Sequence, residues 1–160
     1  MAAKGNTCLA RRGSKERDTL ADSDLQESLI LPSALESVET VESKAEAFAQ
    51  KAGFDEDTAS QIAMLAREAA ANAVLHGNKS DRAKQVHVTF TLSQDALSIR
   101  VADEGAGFDP DSVPDPLSPE GLLRPSGRGI FLMRAIMDEV HFRQLSPGTE
   151  ITLVKHRTQN

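Results

Sequence analysis

The chain of 160 residues contains one cysteine, Cys8, so no internal disulfide can form, which suits a reducing compartment such as the cytoplasm. No apolar run approaches the ~18 residues needed to span a bilayer. The N-terminal stretch has scattered basic residues but lacks the apolar core of a secretory signal. Without a secretory route, Asn78-Lys79-Ser80 matches a glycosylation pattern by letters alone. Positive charge is in short supply: 18 Lys and Arg against 24 Asp and Glu give a formal net charge of −6. That balance offers no electrostatic basis for binding nucleic acid or an anionic membrane. His76, His87, His141 and His156 show no metal-ligand spacing, and one cysteine cannot build a zinc site. No Gly-x-Ser-x-Gly nucleophile elbow is present.

What is there suits one domain with a real core. Residues 1–23 are polar, mixed in charge and aperiodic, and read as a disordered tail. Residues 24–160 read as the domain. "LQESLILP" (25–32) predicts a short strand stopped by Pro32. "SALE" (33–36) matches a capping box with Ser33 as cap, predicting a helix to about Ala52 that Gly53 ends. Leu35, Val38, Val41, Ala45, Phe48 and Ala49 follow helical spacing. A second helix is expected from Asp55–Asp57 to His76, with Gly77 as its stop. Then the period falls to two. Val86, Val88, Phe90 and Leu92 alternate with polar residues, as do Leu97, Ile99 and Val101, so two strands joined at "SQDA" predict a hairpin. Residues 104–127 form a long loop rich in proline and glycine, and "GIFLMRAIMDE" predicts a helix beyond it. "VHFRQLS" and "TEITLVKH", joined at Pro147-Gly148, predict a second hairpin. Strands that alternate cleanly need one covered face. The expected fold is a two-layer α/β (α+β) sandwich, with three helices on one face of a mixed, largely antiparallel sheet.

Three stretches carry unusual chemistry. In "REAAANAVLHGN" (67–78), Glu68, Asn72 and His76 recur at one-turn intervals on a helix rich in alanine. At 100° per residue, Ile62, Ala66, Ala69 and Ala73 face the core and the polar stripe lies on its flank, while the small alanines let the helix lie close to the sheet. The stripe is either a polar boundary or part of a site. In "LSIRVADEGAGF" (97–108), counting by twos from Leu97 points Asp103 toward the core, where a carboxylate needs donors. Glu104 falls on the other face and is unremarkable. Asp103 is either a turn residue or a ligand group, and Gly105 and Gly107 allow close backbone approach. In "PSGRGIFLMR" (125–134), Gly127 and Gly129 flank Arg128 at the mouth of a helix, as a phosphate cradle or a hinge requires. It is neither a Walker A loop nor a dinucleotide fingerprint. Phe108 and Phe131 read as anchors of the long loop rather than stacking platforms.

These stretches, in this order, resemble the boxes of the Bergerat-fold ATPases, which include gyrase, the ninety-kilodalton heat-shock chaperones, mismatch-repair ATPases and histidine kinases. Glu68 and Asn72 match the N-box. Asp103, Gly105 and Gly107 match the first glycine box, Gly127 and Gly129 the second, and Gly148-Thr149 the turn before the last strand. The resemblance spans about residues 25–157 and is strongest to the small bacterial anti-sigma factor serine/threonine kinases. It implies ATP and Mg²⁺ as cofactors. It implies Glu68 as general base, Asn72 as a magnesium ligand, Asp103 as acceptor for the adenine amino group, and Thr149 as its support through water. The implied nucleotide contacts are Asn72, His76, Gly77, Asp103, Gly105, Gly107, Phe108, Ser126, Gly127, Arg128, Gly129, Ile130, Phe131 and Thr149. Residues 105–126 would form a lid. An arginine that directly precedes Ser-Gly in such kinases is replaced by Pro125, leaving Arg124 or Arg128 as the γ-phosphate or partner contact. The implied partners are an anti-sigma-factor antagonist as protein substrate, an RNA polymerase sigma factor and a second copy of the chain. The other functional class is a partner-switching module that binds or hydrolyses ATP without kinase activity.

Overall fold

The computed structural model describes residues 24–106 and 125–158. Along the chain lie β1 (Leu25–Pro32), α1 (Leu35–Lys51), α2 (Glu56–Asn72) with a π-helical turn at Ala73–Gly77, β2 (Gln85–Leu92), β3 (Ala96–Ala102), α3 (Pro125–Ile136), β4 (Glu139–Gln144) and β5 (Thr149–His156). The strands form one sheet in the order β1-β2-β3-β5-β4. Each neighbouring pair is antiparallel, so the expected mixed sheet resolves to an antiparallel one among the described strands. The three helices cover one face, as the strand alternation requires.

That alternation sets the core. Val86, Val88 and Phe90 on β2, Leu97, Ile99 and Val101 on β3, and Leu153 on β5 are all essentially excluded from solvent. Each such side chain contributes about 1.5–3 kcal/mol through burial. From the helical layer come Val41, Ala45, Ile62, Leu65, Ala66 and Met133. Phe48 of α1 stacks on Phe90 of β2 with ring centroids 5.1 Å apart. The alanine-rich α2 packs alongside α1, and its Ala66, Ala69 and Ala73 are buried in the core shared with the sheet.

The helix ends hold three further differences. Ser33 does not cap α1: the cap is Ala34, in an extended conformation without a side-chain bond, and Ser33 turns inward and is buried. Ser37 Oγ instead donates to the Pro32 carbonyl at 2.6 Å, closing the strand-to-helix corner. α1 ends as expected at Gly53, whose φ of 91° suits glycine. Asp55 caps α2, its carboxylate accepting the Thr58 N–H at 2.7 Å. At the other end α2 does not simply stop at Gly77. It widens into the π turn, where the Asn78 N–H reaches back five residues to the Ala73 carbonyl at 2.8 Å. α3 begins at Pro125, four residues before the expected start at Gly129, so Gly127 and Gly129 lie within its first turns. Proline fits a first helical position because its N–H would be unpaired there anyway.

Candidate nucleotide-binding site

A cavity of about 270 Å³ opens between the helical layer and the end of the sheet. Its walls are largely apolar: Ala69 and Ala73 from α2, Ile130 from α3, Val101 from β3, Phe142 from β4 and Ile151 from β5. Sequence periodicity places Ala69, Ala73 and Val101 on core-facing positions, because wall and core share one periodic face. The polar groups are few and come from the stretches singled out above: Asn72, His76, Gly77, Asp103 and Thr149. A mostly apolar cavity with a few oriented polar groups suits a small organic ligand.

Asp103 sits at the end of β3 and is buried, facing the core side as the count by twos predicts. Its Oδ1 accepts the Gly105 N–H at 2.9 Å and the Thr149 N–H at 3.2 Å. Its own N–H donates to the Thr149 carbonyl at 3.0 Å, so the residue is held from both neighbouring segments. Both carboxylate bonds go to Oδ1, leaving Oδ2 without a donor among the described residues. Burial pushes the Asp103 carboxyl above the ordinary carboxylate range, against the opposing pull of the two N–H donors and of Lys84. Thr149 lies beside it with Oγ1 buried and without a hydrogen-bond partner among the described residues. An oriented acceptor and an unsatisfied hydroxyl in one apolar slot leave hydrogen-bonding capacity for a ligand.

Glycines bring the backbone close around this carboxylate. A Cβ at Gly77 would overlap the Asp103 side chain, and one at Gly105 would overlap the Gly77 carbonyl. Gly148, at φ 109°, packs against the Asp103 carbonyl. The π turn delivers Gly77 to this contact, which its position in the letters alone does not reveal.

Glu68 and Asn72 stand farther up α2, half-buried. Gly129 of α3 packs against them: a Cβ there would lie 2.9 Å from Glu68 Oε2 and 3.9 Å from Asn72 Nδ2. The helix start and the polar stripe therefore meet. Arg67 turns the other way and pairs with Glu42 of α1 at 2.7 Å. His76 is exposed at the rim, and Arg128 is exposed near the start of α3. Ile130 is buried against the cavity, but Phe131 points outward and is 45% exposed, so it is not an anchor among the described residues. Gly107, Phe108, Arg124 and most of the expected lid lie outside the described residues, and Ser126 and Gly127 are placed only as α3 backbone. Glu104 is not idle, since its carboxylate accepts the Gln85 N–H. Sequence reasoning also passed over Asn78, which is fully buried; an Asn after a helix-ending Gly reads as an ordinary turn residue. Among the described residues no cluster of three or more His, Cys, Asp or Glu could hold a metal ion.

Residues 31–155 match the family described as histidine kinase-like ATPase domain. The chain is 35% identical over 113 residues to serine-protein kinase RsbW of Bacillus licheniformis, an alignment covering 67% of this chain and 70% of that protein. It is 32% identical over 114 residues to serine-protein kinase RsbW of Bacillus subtilis (strain 168), covering 68% and 71%. Among solved structures, the RsbU and RsbW domains of Rv1364c from Mycobacterium tuberculosis superpose with a TM-score of 0.60 at 19% identity. That match covers 83% of this chain and 32% of the longer one, and it speaks to the fold.

Proposed function

Because the chain belongs to the histidine kinase-like ATPase family, and within it to the serine-protein kinase RsbW group, we propose that it is an ATP-dependent protein serine/threonine kinase acting as an anti-sigma factor. In this reading it works in the cytoplasm of a bacterium, pairs with a second copy, and phosphorylates an anti-sigma-factor antagonist on serine or threonine. When free of that antagonist it holds an RNA polymerase sigma factor.

The carrying observation is the Asp103 carboxylate, pinned through Oδ1 and open at Oδ2 in an apolar slot beside the unpartnered Thr149 hydroxyl. That donor and acceptor set fits adenine, whose amino group donates where guanine has a carbonyl. Asp103 and Thr149 would hold the base, the first turns of α3 the phosphates, and Asn72 would offer an oxygen to Mg²⁺, which keeps several waters and needs few protein ligands. Bound ATP would supply the phosphoryl group that passes to the partner's hydroxyl. Glu68 takes the proton from that hydroxyl as general base. Gly129 lets α3 close against Glu68 and Asn72 without a side chain between them. A module that only bound nucleotide would have no use for a carboxylate at this place.

The test is transfer of label from γ-labelled ATP to a candidate antagonist. Label on a serine or threonine of the antagonist supports the kinase. Release of inorganic phosphate alone, with the antagonist unlabelled, would replace it with an ATP-hydrolysing switch in which water takes the place of the hydroxyl.

A further inference from the structure

Asn78 lies outside the cavity, yet it is fully buried and bonded at both ends of its side chain. Its Oδ1 accepts the Glu104 N–H at 2.8 Å, and its Nδ2 donates to the Gln85 carbonyl at 3.0 Å. The Glu104 carboxylate accepts the Gln85 N–H, which closes a ring of three residues. The backbone N–H of Asn78 meanwhile ends the π turn on Ala73. The ring thus joins three places: the end of the α2 π turn, the start of β2 and the segment leaving β3.

Its position along the chain gives it meaning. Asn78 follows Gly77, and Glu104 follows Asp103. Gly77 and Asp103 both line the cavity and pack so closely that a Cβ at Gly77 would overlap the Asp103 carboxylate. A bond between the two residues just beyond them fixes how closely and at what angle that pair meets. We infer that the Asn78–Glu104–Gln85 ring is a positioning device for base recognition, setting the place from which Asp103 offers its acceptor. This rests on the reading of Asp103 as the adenine acceptor. Hydrogen bonds to a ligand tolerate errors of only about 0.5 Å and 10–20° before selectivity falls, so a rigid clip one residue away has direct leverage. None of the three ring residues, of which Asn78 and Glu104 contribute side chains and Gln85 its backbone, is assigned a nucleotide contact above; they act through Asp103.

The experiment titrates the full chain with ADP and with GDP by calorimetry and records a thermal melt of each variant. The unmutated protein should prefer ADP. Equal binding of ADP and GDP would overturn the reading of Asp103, and the ring with it, before any variant is made. Glu104→Ala opens the ring at its half-buried member. ADP should then bind about five- to tenfold more weakly, the scale of one net hydrogen bond, with GDP nearly unchanged. Glu104→Gln should restore the preference, since its amide oxygen still accepts the Gln85 N–H. Asn78→Ala removes both arms and should reduce the preference further; if it does not fold, the Glu104 pair decides. Variants that melt earlier but keep the ADP-to-GDP ratio of the unmutated protein would reduce the ring to a structural clip and overturn the inference, as would Glu104→Ala with unchanged affinities.

Discussion

At Asp103 the neutral and ionised carboxyl compete. Burial favours the neutral form, while two backbone N–H groups and Lys84 favour the charged one, and burial prevails. The sign of the stability effect follows. With its value raised in the folded state, the folded chain holds the proton more tightly than the unfolded chain does. Stability therefore falls as pH rises from the ordinary carboxylate value through the raised one, and the penalty stands in full above it. Asp103→Asn removes the charge and keeps a carbonyl for the Gly105 and Thr149 N–H groups. The ligand-free variant should thus melt no earlier than the unmutated protein near neutral pH, with a flatter acid-side profile. It should also bind ADP poorly, because an amide donor replaces the free acceptor Oδ2. Melts across the acid-to-neutral range and an ADP titration check both halves; unchanged ADP affinity would remove Asp103 from base recognition. Glu68 poses a different question, since it stands against Gly129 rather than in the slot. Glu68→Gln should retain nucleotide binding and lose phosphotransfer by about 10²–10⁴-fold, the usual worth of a general base. Near-normal transfer in that variant would sink its role.

Among the elements, α3 carries a direct trade between stability and chemistry. Gly129 lies inside its first turns, where alanine would be favoured over glycine by about 1 kcal/mol. An added Cβ, however, would press on Glu68 Oε2 at 2.9 Å, and that flexible carboxylate would swing aside at little cost. Gly129→Ala should therefore melt at or above the temperature of the unmutated protein while phosphotransfer falls; full activity would mean that Glu68 needs no fixed place. Gly53→Ala is the contrast. No atom lies within 4 Å of its added Cβ, but φ is 91°, so it should lose stability by roughly 1–2 kcal/mol and leave phosphotransfer per folded molecule unchanged. This scale also marks how far the sequence could be read. Alternation in β2 and β3, helical spacing in α1 and the inward aim of Asp103 were legible because each follows from a fixed period. The π turn was not, since the Asn78 N–H to Ala73 carbonyl bond that closes it leaves no period in the letters. Ser33 misled for a related reason: the letters of a capping box were present, but the chain leaving β1 turns the hydroxyl inward. The roles of Asn78 and Glu104 exist only once three segments meet, so no local pattern announces them.

Across the whole molecule, the sheet order places β1 at an edge, paired with β2 on one side only among the described strands. Its alternation splits its apolar residues. Leu29 and Leu31 pack against the core, satisfying the strand from within. Ile30 points to the opposite face and is 62% exposed, and Leu35, just past the corner into α1, is 63% exposed. An open edge strand beside exposed aliphatic side chains invites association unless something covers it. Of the two outcomes open to the sequence, burial on its own sheet therefore accounts for half of the strand and leaves the other half for a partner. In the proposed dimer, a second copy takes that place. Sedimentation equilibrium with ADP present should then report a dimer that weakens on dilution. Replacing Ile30 and Leu35 together by lysine should shift it toward monomer, because both side chains are solvent-facing and their loss leaves the core intact. A protein that remains monomeric at every concentration would remove the dimer from the proposed function. A dimer indifferent to the double substitution would place the interface elsewhere on the surface.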